Sequence, residues 1–295
     1  MASRVDTDQS APVPINRVVW GVLGALTAAA FAVWMLFFPA SVADSFAWDV
    51  HPRYAQLFIG AGYIFRTVFF LNAARERSWI RLRWIVWGNL LFTGTLLFAT
   101  YWHAQEFTWN PFQTPLAHLW IGLYIFEPLV MIYLIPSRAL RAAAPRVGGA
   151  LVPGFKPFLV FAAGLLLMNG LLLLLNPEFA ATRWPWELNP LDARIVAAWF
   201  LGWAGWTATM AFASDWDEIR TAALLFLLNA LALIATALLF GDTFMPGRGT
   251  LTGYLSGLLV FSAVMGAFFV LQERRRPSAR SASESAPAPV VESRN

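Results

Sequence analysis

The sequence predicts an all-α integral membrane protein with eight transmembrane helices, arranged as two four-helix repeats of the same topology. Three observations predict it. Of 295 residues, 58% are hydrophobic and only 13% are charged, against about 25% charged in an ordinary soluble domain. The apolar residues fall in eight runs long enough to cross a hydrocarbon core of about 30 Å, which takes about 20 helical residues. Finally, an acidic residue stands between Trp and Pro twice, in "FAWDVHP" from Phe46 and "WPWELNP" from Trp184, each time after the first run of a set of four.

The runs cover residues 18–38, 54–74, 80–101, 115–135, 157–175, 191–213, 219–240 and 251–271. Helix is the forced choice for each, because an open strand in lipid leaves backbone groups unpaired at several kcal/mol apiece, and the alternation of barrel strands is missing. The first run could be taken for a signal peptide, since Ser41-Val42-Ala43 resembles a cleavage site. Its apolar stretch of about 20 residues exceeds the usual 7–15 of such a segment, and it has a counterpart later in the chain, so a retained helix is expected.

Orientation is set by the basic residues. With the N-terminus in the cytoplasm, sixteen of the 21 Lys and Arg fall inside and four (Arg53, Arg183, Arg194 and Arg248) outside, with Arg66 within a run. The positive-inside rule therefore puts both termini in the cytoplasm. One loop, "SDWDEIR" from Ser214, is acidic although parity makes it cytoplasmic; acidic residues weigh little in the rule. The single Lys among many Arg, Ala and Trp suggests a GC-rich bacterial genome and hence the bacterial inner membrane.

The expected organisation is a cytoplasmic segment (1–17), a first four-helix repeat (18–136), a basic cytoplasmic linker (137–156), a second repeat (157–272) and a tail (273–295) rich in Ser, Ala and Pro. Such a tail cannot bury apolar surface and is expected to be disordered.

The repeat is legible residue by residue. "FFPASVADSFAWDVHPRYA" from Phe37 aligns with "LNPEFAATRWPWELNPLDA" from Leu175, matching Pro39 with Pro177, Trp48 with Trp186, Asp49 with Glu187, Pro52 with Pro190 and Ala55 with Ala193. Ile80-Arg81 matches Ile219-Arg220, Asn89 matches Asn229 after a one-residue shift, and Leu96-Leu97-Phe98 matches Leu238-Leu239-Phe240. Four helices is an even number, so both copies share one topology about an axis along the membrane normal. The acidic residue three before Pro suits a helix cap, and the preceding loop suits a short interfacial helix. The functional alternative is a paired cation entrance formed by Asp49 and Glu187.

Fifteen Trp is a high count, and Trp20, Trp79, Trp102, Trp109, Trp120, Trp184, Trp186 and Trp216 lie near run ends, as interface belts require. Trp199, Trp203 and Trp206 share one helix face and suit either interhelical packing or an aromatic cavity.

Arg66 and Glu127 carry the sharpest signal, each inside an apolar run where an unpaired charge costs at least about 2.5–3.5 kcal/mol. Both lie about eight residues from the cytoplasmic end of their run, about 12 Å deep, so they can meet. Pro128 comes directly after Glu127 and would loosen the local backbone ladder. The pair is readable as a relay for protons or anionic substrate, or as a buried ion pair that fixes helix register. The second repeat lacks it: Ser262 falls near the place of Glu127, and Gly202 to Ala204 near that of Arg66.

His103, Glu106 and His118 flank the loop "YWHAQEFTWNPFQTPLAH" and are weak candidates for a metal site; His51 lies in the first Trp motif. Cys is absent, which excludes disulfides and thiolate chemistry. No P-loop, dinucleotide fingerprint or nucleophile elbow occurs, and no cofactor is expected. Net charge is +4, but the basic residues form short clusters between apolar runs, so no nucleic-acid partner is expected.

Pro39, Phe46, Trp48 and Pro52 before "AQLFIGAGY", with His103, Phe107, Trp120, Tyr124 and Pro128 in "HAQEF" through "LWIGLYIFEP", resemble an uncharacterised eight-helix multi-pass membrane protein family of GC-rich bacteria. The resemblance covers most of the membrane region and implies no substrate or catalytic residue.

Three function classes are open. A transporter or permease for a small or lipid-like solute predicts a cavity between the halves lined by Arg66, Glu127, Asn89, Asn229, Trp203 and Thr95. A scaffold or accessory subunit, with the bilayer and an unidentified protein as partners, predicts a mutual, structural charge pair. A membrane enzyme acting on lipid or quinone predicts that His103, Glu106, His118 and Asp242 converge at the outer face.

Overall fold

The computed structural model describes residues 17–50, 52–76, 82–108, 115–134, 148–245 and 251–276, and among them every regular element is helical. The α-helices are α1 (Arg17–Phe37), α2 (Pro39–Ser45), α3 (Arg53–Arg75), α4 (Trp84–Trp102), α5 (Pro115–Leu134), α6 (Phe155–Leu175), α7 (Pro177–Ala181), α8 (Pro190–Ala211), α9 (Trp216–Leu239) and α10 (Leu251–Arg275). Six of them, α1, α3, α4, α6, α9 and α10, are long and apolar enough to cross a membrane. The other two of the eight expected runs are α5, a 20-residue helix whose apolar stretch among the described residues is His118–Tyr133, and α8. At 22 residues α8 has the length, but Asp192, Arg194 and three indoles lower its hydropathy, and it is buried on nearly every side, against protein rather than lipid.

Local chemistry sets the breaks. Pro39 and Pro177 open the two short helices α2 and α7, where a missing N–H costs nothing and the ring pre-sets the helical φ. These occupy the two loops expected to carry interfacial helices. In the second Trp motif the acidic residue does not act as the expected cap: Asn189 caps α8, its side chain accepting from Asp192 N–H at 2.7 Å, while Glu187 is exposed. Asn189 stands one residue before the helix, where a side-chain oxygen reaches the first-turn amides; Glu187 stands too far back.

The packing has a regular plan. α1 lies on α3 and α6 on α8; α4 lies on α5 and α9 on α10; α4 crosses to α8 and α3 to α9. Each Trp motif is tied to the loop after the next pair of long helices by a backbone bond, Thr108 N–H to Ala47 O in one place and Met245 N–H to Pro185 O in the other, both 2.9 Å.

Glycine lets α4 and α8 meet closely. A Cβ on Gly205 would lie 2.8 Å from the Gly88 Cα, one on Gly202 would lie 2.8 Å from the Phe92 Cβ, and one on Gly88 would overlap the Trp206 ring. Trp206 donates to Ile85 O at 3.1 Å, which ties the two helices across this seam. Trp199 packs on Phe92 and Tyr63 in the same layer.

The acidic segment after α8 gathers the helix ends of one side. Asp215 accepts from the Gly148 and Gly149 amides at 3.0 Å, Glu218 pairs with Arg83, and Asp217 pairs with Arg276 at 2.8 Å. The acidic loop that opposed the charge rule thus neutralises basic residues at its own end of the bundle.

Two further expectations change. The chain stays helical to Arg275, beyond the expected boundary at residue 273, because Gln272 accepts from Val152 N–H at 2.9 Å and Glu273 bonds Trp216 and Arg220. And Trp120, Trp186 and Trp216 are fully buried core residues rather than interface anchors, while the exposed Trp102 fits the belt. His51, Trp79 and Trp109 lie outside the described residues.

Candidate functional site

Arg66 projects from the middle of α3, Asn89 from α4 and Glu127 from α5, and the three meet. Arg66 Nη2 donates to both carboxylate oxygens of Glu127, at 2.8 and 2.6 Å, and Nη1 donates to Asn89 Oδ1. The guanidinium also lies over the rings of Phe70, Phe69 and Phe92, with centroid distances of 4.5, 5.0 and 5.0 Å. Both charges are buried, so their attraction acts at low dielectric, and planar Arg gains from ring faces as well. One helical turn away, the hydroxyls of Tyr63 and Tyr124 are 2.8 Å apart.

Pro128 does not break α5, which is helical on both sides of it. Its missing N–H leaves only the carbonyl four residues back, on Tyr124, without the usual helical partner. The cavity bordered by Arg66, Glu127, Tyr124 and Gly24 measures about 30 Å³, room for one or two waters and no solute.

Asn229 and Trp203 stand elsewhere. They line a groove of about 490 Å³ between α6, α8, α9 and α10, walled by rings such as Phe58, Phe161 and Phe200. Asn229 Oδ1 and Trp203 Nε1 are buried and have no hydrogen-bond partner in the protein. α10 forms the loose wall, since among the described residues it buries only Met265 and Gln272. Thr95 is buried in α4. The six residues expected around one central cavity therefore do not share one: Arg66, Glu127 and Asn89 meet in one place and Asn229 and Trp203 line another.

At the opposite end from the acidic segment, His103 Nδ1 is 2.6 Å from Glu106 Oε1 and its Nε2 is 2.7 Å from Arg194 Nη1. Arginine only donates, so Nε2 accepts and the Nδ1 proton points at Glu106. A guanidinium thus covers the face a metal would need. His118 and Asp242 are exposed, and among the described residues no group of three His, Asp or Glu could hold a metal ion.

Among the contacts that went unforeseen, two join distant parts of the chain. Trp48 Nε1 donates to the buried Asp192 at 3.0 Å, and Arg83 pairs with Glu218. "NPLDA" held a signal for the first, because Asn189 with Asp192 three residues later places a carboxylate in the first turn of α8. No protein-family model, curated protein or solved structure matches the chain.

Proposed function

We propose that the chain is an eight-helix bacterial inner-membrane protein with both termini cytoplasmic, built as two four-helix repeats, that binds a lipid-like solute in the groove between α6, α8, α9 and α10 as a permease or carrier. The observation that carries the site is the pairing of a large ring-walled groove with a buried acceptor, Asn229 Oδ1, and a buried donor, Trp203 Nε1, that the protein leaves unsatisfied. Unpaired buried polar atoms cost about 1–3 kcal/mol each, a cost that a ligand's polar group would offset. The repeat reading is supported by α2 and α7, by the matching Thr108–Ala47 and Met245–Pro185 bonds, and by the pairwise packing plan.

The scaffold reading is favoured by a different observation. Arg66, Glu127 and Asn89 satisfy one another beside a cavity too small for a solute, as a charge pair fixing helix register would.

The test uses purified protein in detergent, with hexadecanol and hexadecane as probes in thermal unfolding. Hexadecanol should raise the Tm and hexadecane much less. A Cβ on Gly257, which lines the groove, would meet nothing within 4 Å, so Gly257→Leu should fold normally and lose the hexadecanol shift. A shift that survives Gly257→Leu, or equal shifts from both probes, would reject the site.

A further inference from the structure

A second pocket, of about 570 Å³, opens at the other end of the bundle, where α4 and α9 begin and α8 ends. Its polarity is ordered along the helix axes. Arg83 and Glu218 stand at its mouth, Trp84 and Trp87 come next, and Leu91 lies about 12 Å deeper than Arg83 at 1.5 Å per residue. Below the rim the wall is left uncovered by protein, Trp87 being 48% exposed and Leu91 42%, and at the level of the rim Phe212, at the end of α8, is 87% exposed. A charged rim over exposed rings and aliphatic carbon matches the order of headgroup, interface and acyl chain in one leaflet.

Charge selects the headgroup. Among the described residues the lining holds one base and one acid, paired with each other, so these two bring no net charge to the rim. An anionic lipid would draw Arg83 from Glu218 and leave a buried carboxylate uncompensated, which is costly. A zwitterion brings a phosphate for Arg83 and a cation for Glu218 together. Glu218 also discriminates between cations. Its Oε1 accepts from Ser214 N–H and Oγ at 3.2 and 3.0 Å, and its Oε2 from Arg83. A carboxylate offers about four lone-pair sites, so roughly one remains for an N–H donor. A primary ammonium has such donors, and a quaternary one has none.

We infer that the pocket formed by Arg83, Trp84, Trp87, Leu91, Phe212 and Glu218 is a binding site for a phospholipid with an ethanolamine headgroup. The lipid bridges α4 to α8 and α9 at the level of the cytoplasmic leaflet. The site is independent of the α6–α10 groove, and Gly257→Leu leaves it untouched.

Native mass spectrometry of the detergent-solubilised full chain, titrated with dioleoyl phosphatidylethanolamine and with its choline and glycerol counterparts, tests it. One lipid per chain should bind with about tenfold preference for ethanolamine over choline, the worth of one charge-assisted hydrogen bond. Arg83→Gln removes a partner of Glu218 and can unfold the protein, so the deciding variant is Ala208→Trp, which fills the pocket and keeps the ion pair. It should lose the preference while retaining the wild-type hexadecanol shift. Equal binding of the three lipids, tighter binding of the glycerol lipid, or a preference that survives Ala208→Trp would each overturn the assignment.

Discussion

Trp48 Nε1 donates to Asp192 Oδ1 at 3.0 Å, joining two buried side chains 144 positions apart. Trp48 belongs to the first Trp motif and Asp192 to the helix just after the second, so the motifs act across the molecule as well as locally. Asp192 is held in turn by Asn189, whose amide donates to Oδ2 at 2.9 Å. The same Asn189 that starts α8 therefore aims the carboxylate at Trp48, and local capping becomes long-range packing.

Trp48→Phe keeps an aromatic ring and removes one donor from a buried carboxylate, which should cost about 1–3 kcal/mol. Asp192→Asn keeps an acceptor at Oδ1 and should cost less than Asp192→Leu. Thermal unfolding in detergent measures all three. A Trp48→Phe protein as stable as wild type would show the bond to be energetically silent.

Arg66 and Glu127 should behave as one unit. Removing either partner leaves an uncompensated buried charge, so Arg66→Leu and Glu127→Leu should each cost about 3–5 kcal/mol, while the double variant returns toward wild type. The same unfolding assay decides. Independent, additive losses would mean that each charge serves something other than its neighbour.

Much of this was readable from residues alone. The positions of the six helices long and apolar enough to cross a membrane, the short helices before the Trp motifs and the Arg66–Glu127 contact came from apolar run length, proline placement and equal distance from the run ends, all of which are local or one-dimensional quantities. Asn89 was legible as a repeated polar residue and a cavity-lining candidate beside Arg66; its direct bond to Arg66 depends on how α4 rotates against α3. The groove was not legible, because it exists where α10 fails to pack closely, and a helix's own hydropathy does not say how tightly its neighbours approach. Burial of Trp120, Trp186 and Trp216 was missed for a related reason: a tryptophan near a helix end looks the same in sequence whether its ring meets headgroups or a folded-back loop.

The glycines at the α4–α8 seam should be intolerant where others are not. A side chain at Gly88 overlaps Trp206, and one at Gly205 meets Gly88, so Gly88→Leu and Gly205→Leu should abolish stable expression. A Cβ at Gly94 or Gly164 meets nothing within 4 Å, and Ala there should stabilise by about 0.5–1 kcal/mol through helix propensity. Size-exclusion profiles and Tm report both. A well-folded Gly88→Leu protein would mean that the helices do not approach this closely in the membrane.

Topology offers the cleanest test of the two helices whose spanning rests on parity. Because the chain has no Cys, single-Cys variants label without background. Thr182 and Ser214 flank α8, Thr108 and Ala150 flank α5, and all four are exposed. An impermeant maleimide applied to intact spheroplasts should label Thr182→Cys and Thr108→Cys, and should reach Ser214→Cys and Ala150→Cys only after lysis. If Thr182→Cys and Ser214→Cys react alike, α8 lies within the fold without crossing. The cytoplasmic assignment of the Arg83–Glu218 pocket would then have to be set again, from the tail and from Arg276, whose pairing with Asp217 ties the end of α10 to the start of α9.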